Sequence, residues 1–358
     1  MSQLEDDSLI IRAWHEITVN ALQSRATDIH IEAGLQETVV RLRIDGALQL
    51  LARYPNSLHE RLITRIKILA RLDIAEKRLP QDGRLCIGSD FSKPDIDCRV
   101  STMPTLYGEK AVVRILPSLI GDLALERVGL IPEQLSIFRS AIQQPHGMIL
   151  VTGPTGSGKT RTLYSCLREL NQPEKNLCSI EDPIEIRLPG VNQVAFHEKA
   201  GLDFAMIIRA LLRQDPDVLM IGEIRDSASA RVVIEAAQTG HLVLSTLHTR
   251  NARGAIARLK TLGIEREHIE SCLHCVSSQR LVRTYCQTCK GVALDSACSK
   301  CKGSGYFGRI GIHEVLNRRM IFDQNEPSID LHLAGMRYVR QGLINPDMLA
   351  YEIGSACL

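Results

Sequence analysis

The chain has 358 residues, 44% of them hydrophobic, so it is long enough for two domains with sizeable cores and needs no disulfides to fold. Its 43 basic and 41 acidic residues leave a formal net charge of +2. The chain as a whole therefore has no strong positive electrostatic field that would attract nucleic acid or an anionic membrane. No apolar run approaches the ~18 residues of a membrane span, and an acidic stretch stands where a signal sequence would begin, so we expect a cytosolic protein that does not span the membrane.

The first 116 residues predict a mixed α/β domain of ordinary size. In chain order, the pattern predicts a helix over 10–21, a strand over 39–44 before a turn at 45–46, a helix over 58–69, and extended segments over 95–100 and 109–116. Asp7 or Ser8 is the expected cap of the first helix, which would bury Trp14. Residues 117–123 are the predicted linker.

The remaining residues, 124–358, predict a second α/β domain. Short apolar runs at 148–152, 177–180, 218–221 and 242–246 alternate with helical stretches, which is typical of a buried, mainly parallel sheet with helical crossovers. From about residue 271 the pattern predicts a helix, then a glycine- and cysteine-rich insert over 284–311, and then a helical tail.

A phosphate-binding loop, GPTGSGKT, lies between the run at 148–152 and a helical stretch, which is the context that its chemistry needs. Its backbone N–H groups and the helix N-terminus would face phosphate oxygens of ATP, Lys159 would reach the β- and γ-phosphates, and Thr160 would hold Mg²⁺. A chance match in this context is the weaker alternative. The predicted nucleotide-binding residues are Gly153, Pro154, Thr155, Gly156, Ser157, Gly158, Lys159, Thr160 and Arg161.

Two acidic segments follow later apolar runs and would reach the same edge of the sheet, where ligands of open α/β sheets bind. Glu223 is the carboxylate that follows the apolar run at 218–221. An aspartate more commonly follows such a run directly, but here Gly222 holds that position and the carboxylate comes one residue later. Glu181 and Asp182 end the other segment, so we expect both segments to meet across the γ-phosphate. Either glutamate can polarise the attacking water, and we favour Glu223; the alternative is that one of them caps a helix or pairs with an arginine.

Two histidines flank the run at 242–246. His248 follows the run and therefore lies at the sheet edge of the phosphate loop, where it would sense the γ-phosphate. His241 precedes it and is the weaker candidate for the nucleotide site. The alternative for both is a satisfied structural imidazole.

Eleven cysteines in a reducing cytosol suggest metal binding where they cluster. Two C-x-x-C pairs, separated by eight residues, would supply four thiolates to a structural Zn²⁺ that clamps an insert too small for its own core: Cys286, Cys289, Cys298 and Cys301. Free thiols are the alternative. Cys272 and Cys275 form a third pair, which we expect to be core residues of a helix.

The acidic box IEDPIE, the strand end GEIRD and the histidine box TGHLVLSTLHT together resemble the ATPases of bacterial type II secretion and type IV pilus assembly. The first domain resembles that family's second N-terminal domain through segments RATDIHIEAG, RLRIDG, DIAEKRLPQDGR and CRVSTMPTLYGEKAVVRIL. The resemblance implies that two arginines of this domain, Arg99 and Arg114, close over the nucleotide. CKGSGYFGRIGIHEVL, after the cysteines, resembles the assembly branch more than the retraction branch.

The family implies a RecA-like P-loop domain, a smaller PAS-like N-terminal α/β domain and a zinc-binding insert. It also implies a homo-oligomer, namely a hexameric ring, that hydrolyses Mg-ATP at the cytoplasmic face of the inner membrane, moves its two domains as rigid bodies and drives a membrane platform protein. The sequence departs from the family at Arg161, in the run HTRNA at His248 and in the tail. Because its match begins at the family's second N-terminal domain, we expect it to lack the further N-terminal domain that docks many members on the platform.

Two other functions stay open from the sequence. One is a regulatory module that binds ATP without turnover, which the intact Lys159, Glu181 and Glu223 argue against. The other is a DNA-transport motor of competence or conjugation, because the P-loop domain does not identify the cargo. The near-neutral charge disfavours direct contact with nucleic acid.

Overall fold

The computed structural model describes residues 3–88, 96–116, 123–196, 203–292 and 298–354, without the side chains of residues 3–8. The chain divides into two compact units, Met1–Leu119 and Ile120–Leu358. The predicted linker at 117–123 lies outside the described residues except for Leu123.

The first unit is an antiparallel sheet with two helices on one face. Its elements are α1 (Gln3–Gln23), β1 (Asp28–Ala33), β2 (Glu37–Ile44), β3 (Ala47–Pro55), α2 (His59–Ala70), β4 (Gln81–Ile87), β5 (Ile96–Thr105) and β6 (Gly108–Ile115). The strand order is β3-β2-β1-β6-β5-β4. The turn between β2 and β3 is the predicted one, with positive φ at Asp45 and Gly46, as a tight hairpin requires.

Strand alternation gives this sheet one apolar and one polar face. Ile29 and Ile31 of β1 are fully buried and pack with Trp14 of α1 and Ile66 of α2, as the helical spacing predicted. The helix α1 begins at Gln3, so the predicted cap at Asp7 or Ser8 is wrong; no glycine or proline interrupts the preceding residues.

The second unit is built on a seven-stranded sheet. Its elements are α3 (Pro132–Ile142), β7 (Gly147–Thr152), α4 (Lys159–Leu170), β8 (Leu177–Glu181), β9 (Val191–Ala195), α5 (Phe204–Leu212), β10 (Val218–Ile221), α6 (Ser227–Gln238), β11 (Leu242–Leu247), α7 (Gly254–Thr261), α8 (Arg266–Cys272), β12 (Leu273–Tyr285), β13 (Tyr306–Asn317), α9 (Arg318–Phe322), α10 (Leu331–Arg340) and α11 (Pro346–Ile353). The order is β13-β12-β7-β11-β10-β8-β9. Only β13 is antiparallel to its neighbour, so the predicted parallel sheet is confirmed.

Helices cover both faces of this sheet. On one face α5, α6, α7 and α8 bury residues such as Ile208 and Val233, and on the other α3 and α4 bury Phe138 and Leu167. The tail helices α10 and α11 pack on the β12–β13 hairpin around Ile312. The two-sided cover explains why the four central strands are continuous apolar runs.

The segment after residue 271 differs from its prediction. Cys272 ends α8, but Cys275 lies on β12, so the predicted helix over both cysteines is wrong. Both side chains are buried in the core, as expected. A strand buried on both faces carries no period of two, and its apolar run is therefore easily mistaken for a buried helix.

Within the ranges described above, no helix has both the length and the apolar character needed to cross a bilayer.

Candidate functional site

The phosphate loop connects β7 to α4 at the carboxyl end of the sheet. Gly153, Gly156 and Gly158 all have positive φ, and Gly158 directly precedes α4. A Cβ atom on Gly153 would lie 2.5 Å from the carbonyl oxygen of Gln279, so this position admits only glycine. Pro154 and Thr155 are exposed at the apex, while Thr160 and Arg161 lie in the first turn of α4. The backbone is therefore shaped for phosphate oxygens.

Gln279 of β12 braces this loop, although the sequence patterns gave no reason to select it. Its Nε2 donates to the carbonyl oxygen of Ser157 at 2.6 Å, and its Oε1 accepts from the Thr162 hydroxyl at 2.8 Å. The residue is 2% exposed. Because Gln279 stands more than 100 residues away in sequence, only strand pairing of β12 with β7 brings it here.

The amine of Lys159 lies against the phosphate loop. Its Nζ donates to the carbonyl oxygens of Gly153 at 2.9 Å and Pro154 at 3.0 Å. Burial lowers the pKa of Lys159, the carboxylate of Glu223 opposes this shift, and the guanidinium of Arg280 adds to it. A phosphate group would give the buried ammonium the counter-charge that the two carbonyls supply only in part.

Glu223 stands at the same edge, two residues beyond β10. Its Oε1 accepts from Nε of Arg225 at 2.8 Å, and its Oε2 lies 3.5 Å from Nε2 of His248. Arg225 also donates through Nη1 to Asp182 at 3.1 Å. Asp182 and Glu223 are thus joined through one guanidinium, so the two acidic segments lie together; that they meet across a γ-phosphate stays a prediction.

Glu181 has a different environment from Glu223. It is 3% exposed, and its oxygens accept hydrogen bonds from the hydroxyls of Tyr164 and Ser179 and from the amide of Gln193. Its described partners are uncharged groups of the core, whereas the Glu223 side chain is 30% exposed and close enough to Lys159 to affect its pKa. Glu181 is therefore tied into the fold and Glu223 faces the loop.

The two histidines lie at opposite ends of β11. Leu247 pairs with Thr152, which places the following His248 beside the start of the phosphate loop. His241 precedes the strand, next to Gly147, and its Nδ1 lies 3.1 Å from the carbonyl oxygen of Ala236. A strand of six residues spans roughly 20 Å, so His241 is not brought to the phosphate loop of its own chain.

Arg99 and Arg114 are directly opposite each other on β5 and β6 of the first unit. Their separation of fifteen residues is therefore the span of one hairpin. Arg114 keeps 66% of its side chain exposed and pairs with Asp28 through Nε at 2.9 Å. Their proposed role toward a nucleotide still rests on the family resemblance.

The four cysteines of the insert come together at the tip of the β12–β13 hairpin. All four Sγ atoms lie within 4.8 Å of one another, with 3.8 Å between Cys286 and Cys298 and 3.5 Å between Cys289 and Cys301. Tetrahedral Zn²⁺ with bonds of about 2.3 Å places sulfurs about 3.8 Å apart, so the donor set fits. The N–H group of Cys289, with that of Thr288, lowers the pKa of Cys286 to about 6, which favours the thiolate.

The sequence matches a known protein family over most of its length. The model of the family described as "Type II/IV secretion system protein" matches residues 3–337. The type II secretion system protein HxcR of Pseudomonas aeruginosa is 44% identical over 349 residues, which are 94% of this chain and 74% of that protein. The type IV pilus assembly ATPase PilB of Myxococcus xanthus is 43% identical over 340 residues, 88% of this chain and 60% of that protein.

Solved structures have the same fold. The pilus retraction motor PilT with bound ADP has a TM-score of 0.65 at 26% identity, with 94% of this chain and 96% of that chain covered. The ATPase DotB of Legionella pneumophila has a TM-score of 0.73 at 22% identity, with coverage of 94% and 93%. The second of these similarities concerns the fold alone.

Proposed function

Because the chain belongs to the type II/IV secretion system protein family, we propose that it is the motor that powers assembly of a type II secretion pseudopilus or a type IV pilus. It is an ATPase of the secretion and pilus type, like its relatives. The observation that carries the proposal is the meeting of the phosphate loop, Glu223 and His248 at one edge of the sheet.

The residues at this edge divide the chemistry of Mg-ATP hydrolysis among them. The loop N–H groups and Lys159 would bind the β- and γ-phosphates, and the Thr160 hydroxyl would hold Mg²⁺. Glu223 is the group that orients the attacking water and takes its proton, because it is the accessible carboxylate beside Lys159. When bound, Mg²⁺ would neutralise negative charge on the phosphate groups. His248 senses the γ-phosphate, and we leave His241 out of the site.

The assembly and cargo are proposals that the family resemblance supports. We infer a ring of six chains at the cytoplasmic face of the inner membrane, acting on a platform protein there, with Arg99 and Arg114 adding positive charge toward the γ-phosphate. Relatives at 43–45% identity are named for type II secretion and pilus assembly, which supports assembly over retraction. Four thiolates would hold a structural Zn²⁺ in the insert.

Phosphate release from the purified chain tests the proposal. Lys159→Ala should abolish Mg-dependent release, while Glu223→Gln should bind ATP and fail to turn it over. Glu235→Gln, which changes an exposed carboxylate of α6, is the matched control and should behave as wild type. Wild-type release no higher than that of Lys159→Ala, with a platform protein present, would refute the motor.

The cargo needs a separate measurement. Stimulation of hydrolysis by a membrane platform protein is the expected result. Stimulation by DNA with a steep salt dependence would instead identify a DNA-transport motor and overturn fibre assembly.

A further inference from the structure

A row of charged side chains crosses the polar face of the first unit. The pairing registers place Arg84 opposite Arg99, Arg99 opposite Arg114, Arg114 opposite Asp28, and Asp28 opposite Arg43. Directly opposite residues have Cβ atoms about 5 Å apart. The row therefore contains four arginines and one carboxylate, and that carboxylate stands between Arg43 and Arg114, an arginine of the proposed nucleotide site.

Asp28 is the fixed member of the row. Its side chain is 7% exposed, while that of Arg114 is 66% exposed. Oδ1 accepts from Nε of Arg114 at 2.9 Å, and Oδ2 accepts from the Thr27 hydroxyl at 2.7 Å and lies 3.9 Å from Nε of Arg43. Thr27 and Arg43 therefore hold the Asp28 carboxylate in place independently of its contact with Arg114.

The contact is made at one particular nitrogen of Arg114. A guanidinium presents its donors in a rigid planar fork, so a hydrogen bond at Nε fixes the plane while the two Nη atoms stay at the exposed end. An arginine held in this way loses less conformational entropy when its Nη atoms bind an oxyanion. The geometry points to Asp28 as a positioning residue that orients Arg114 toward the γ-phosphate of a bound nucleotide, an inference that rests on the function proposed above.

Glu32 provides a matched comparison on the same strand and the same face. Its carboxylate pairs with Arg41 of β2 at 2.6 Å and with Lys110 of β6 at 2.7 Å. It is thus a partly buried acid that pairs with the same two neighbouring strands, but it lies outside the row of Arg114. A general loss of an ion pair on this sheet should affect both acids alike.

A double-mutant cycle on the full chain tests the inference. Asp28→Asn should lower kcat for ATP about tenfold or more and raise KM much less, because misplacing a group that acts on the transition state costs turnover first. Arg114→Ala should lower kcat at least as far, and Asp28→Asn in that background should cause no further loss. Glu32→Gln should leave kcat within about twofold of wild type, because the ion pairs that it weakens lie outside the row of Arg114.

The possible outcomes separate this inference from the proposed function. If Arg114→Ala leaves kcat unchanged, the arginine has no role and the proposed site is wrong at that residue. If Arg114→Ala lowers kcat but Asp28→Asn does not, or if their effects multiply, Asp28 does not act through Arg114 and the inference is overturned. If thermal melting shows that Asp28→Asn is unfolded, Thr27→Val replaces it in the cycle. This substitution removes one hydrogen bond to Asp28 and keeps the charge of the carboxylate. Its effect on kcat should likewise disappear in the Arg114→Ala background.

Discussion

Gln279→Ala is the substitution that most directly separates the phosphate loop from the strand that supports it. It removes the 2.6 Å hydrogen bond to Ser157 and the 2.8 Å hydrogen bond from Thr162. Two buried polar groups lose their partners at about 1–3 kcal/mol each, so the free energy of unfolding should fall by about 2–6 kcal/mol. If two loop residues then become mobile, binding must order them again at about 1–2 kcal/mol each, which weakens nucleotide binding about thirtyfold to a thousandfold.

Gln134→Ala is the matched control for this effect. Gln134 is also a buried glutamine, and its amide donates to the carbonyl oxygen of His313 at 2.5 Å and accepts from the N–H group of Ile131 at 3.4 Å. The bond to His313 ties α3 to β13, the bond from Ile131 caps the start of α3, and neither involves the phosphate loop. Its loss should lower stability by a similar amount and leave nucleotide affinity within about twofold of wild type.

The assay compares the two variants by equilibrium denaturation and by titration with a fluorescent ADP analogue in the presence of Mg²⁺. Each affinity is measured at a temperature where thermal melting shows the variant folded, so that the two effects are not mixed. Gln279→Ala binding as tightly as wild type, or Gln134→Ala weakening binding to the same extent, would refute the bracing role.

Three further predictions concern other parts of the second unit. Cys298→Ser should abolish binding of one zinc per chain, measured by elemental analysis, and should speed hydrogen exchange at the hairpin tip, whereas Cys272→Ser should change neither. Tyr164→Phe should lower the free energy of unfolding by about 1–3 kcal/mol, because Glu181 loses a donor in the core, and should reduce kcat less than Glu223→Gln does; an equal loss would make Glu181 the base. Burial lowers the pKa of His313 from 6.5 to about 4, so the unfolded chain takes up the proton first, and as pH falls from 6.5 toward 4 up to about 3 kcal/mol of stability should be lost. His313→Gln should flatten that dependence in urea titrations between pH 7.5 and 5, and an unchanged slope would contradict it.

Local chemistry determined much of the second unit. The phosphate loop was identified because its glycines, lysine and threonine follow one another without interruption, and the strand before it was predicted to within one residue. The other central strands are short apolar runs bounded by polar turns, and a strand buried under helices on both faces requires such runs. The cysteine spacing was equally local, since each pair of ligands lies within a single turn.

The first unit was predicted less completely. The strands β2, β5 and β6 were expected near their observed positions, but β1, β3 and β4 were identified only as family segments or not at all. Antiparallel strands with one polar face carry short, weak patterns, and their partners are set by register, which a single strand does not encode. The juxtaposition of Asp28 with Arg114, 86 residues apart, is a result of that register.

Sequence alone determined which residues carry phosphate, acid and thiolate chemistry, because those groups act through neighbours a few positions away. Tertiary structure decided what surrounds each group. It embedded Glu181 among uncharged donors, left Glu223 accessible beside Lys159, separated His241 from His248 by the length of β11, and set Gln279 under the phosphate loop. The physical reason is that burial, and the choice of hydrogen-bond partner, depend on strand order and helix packing, which bring together residues far apart in the chain.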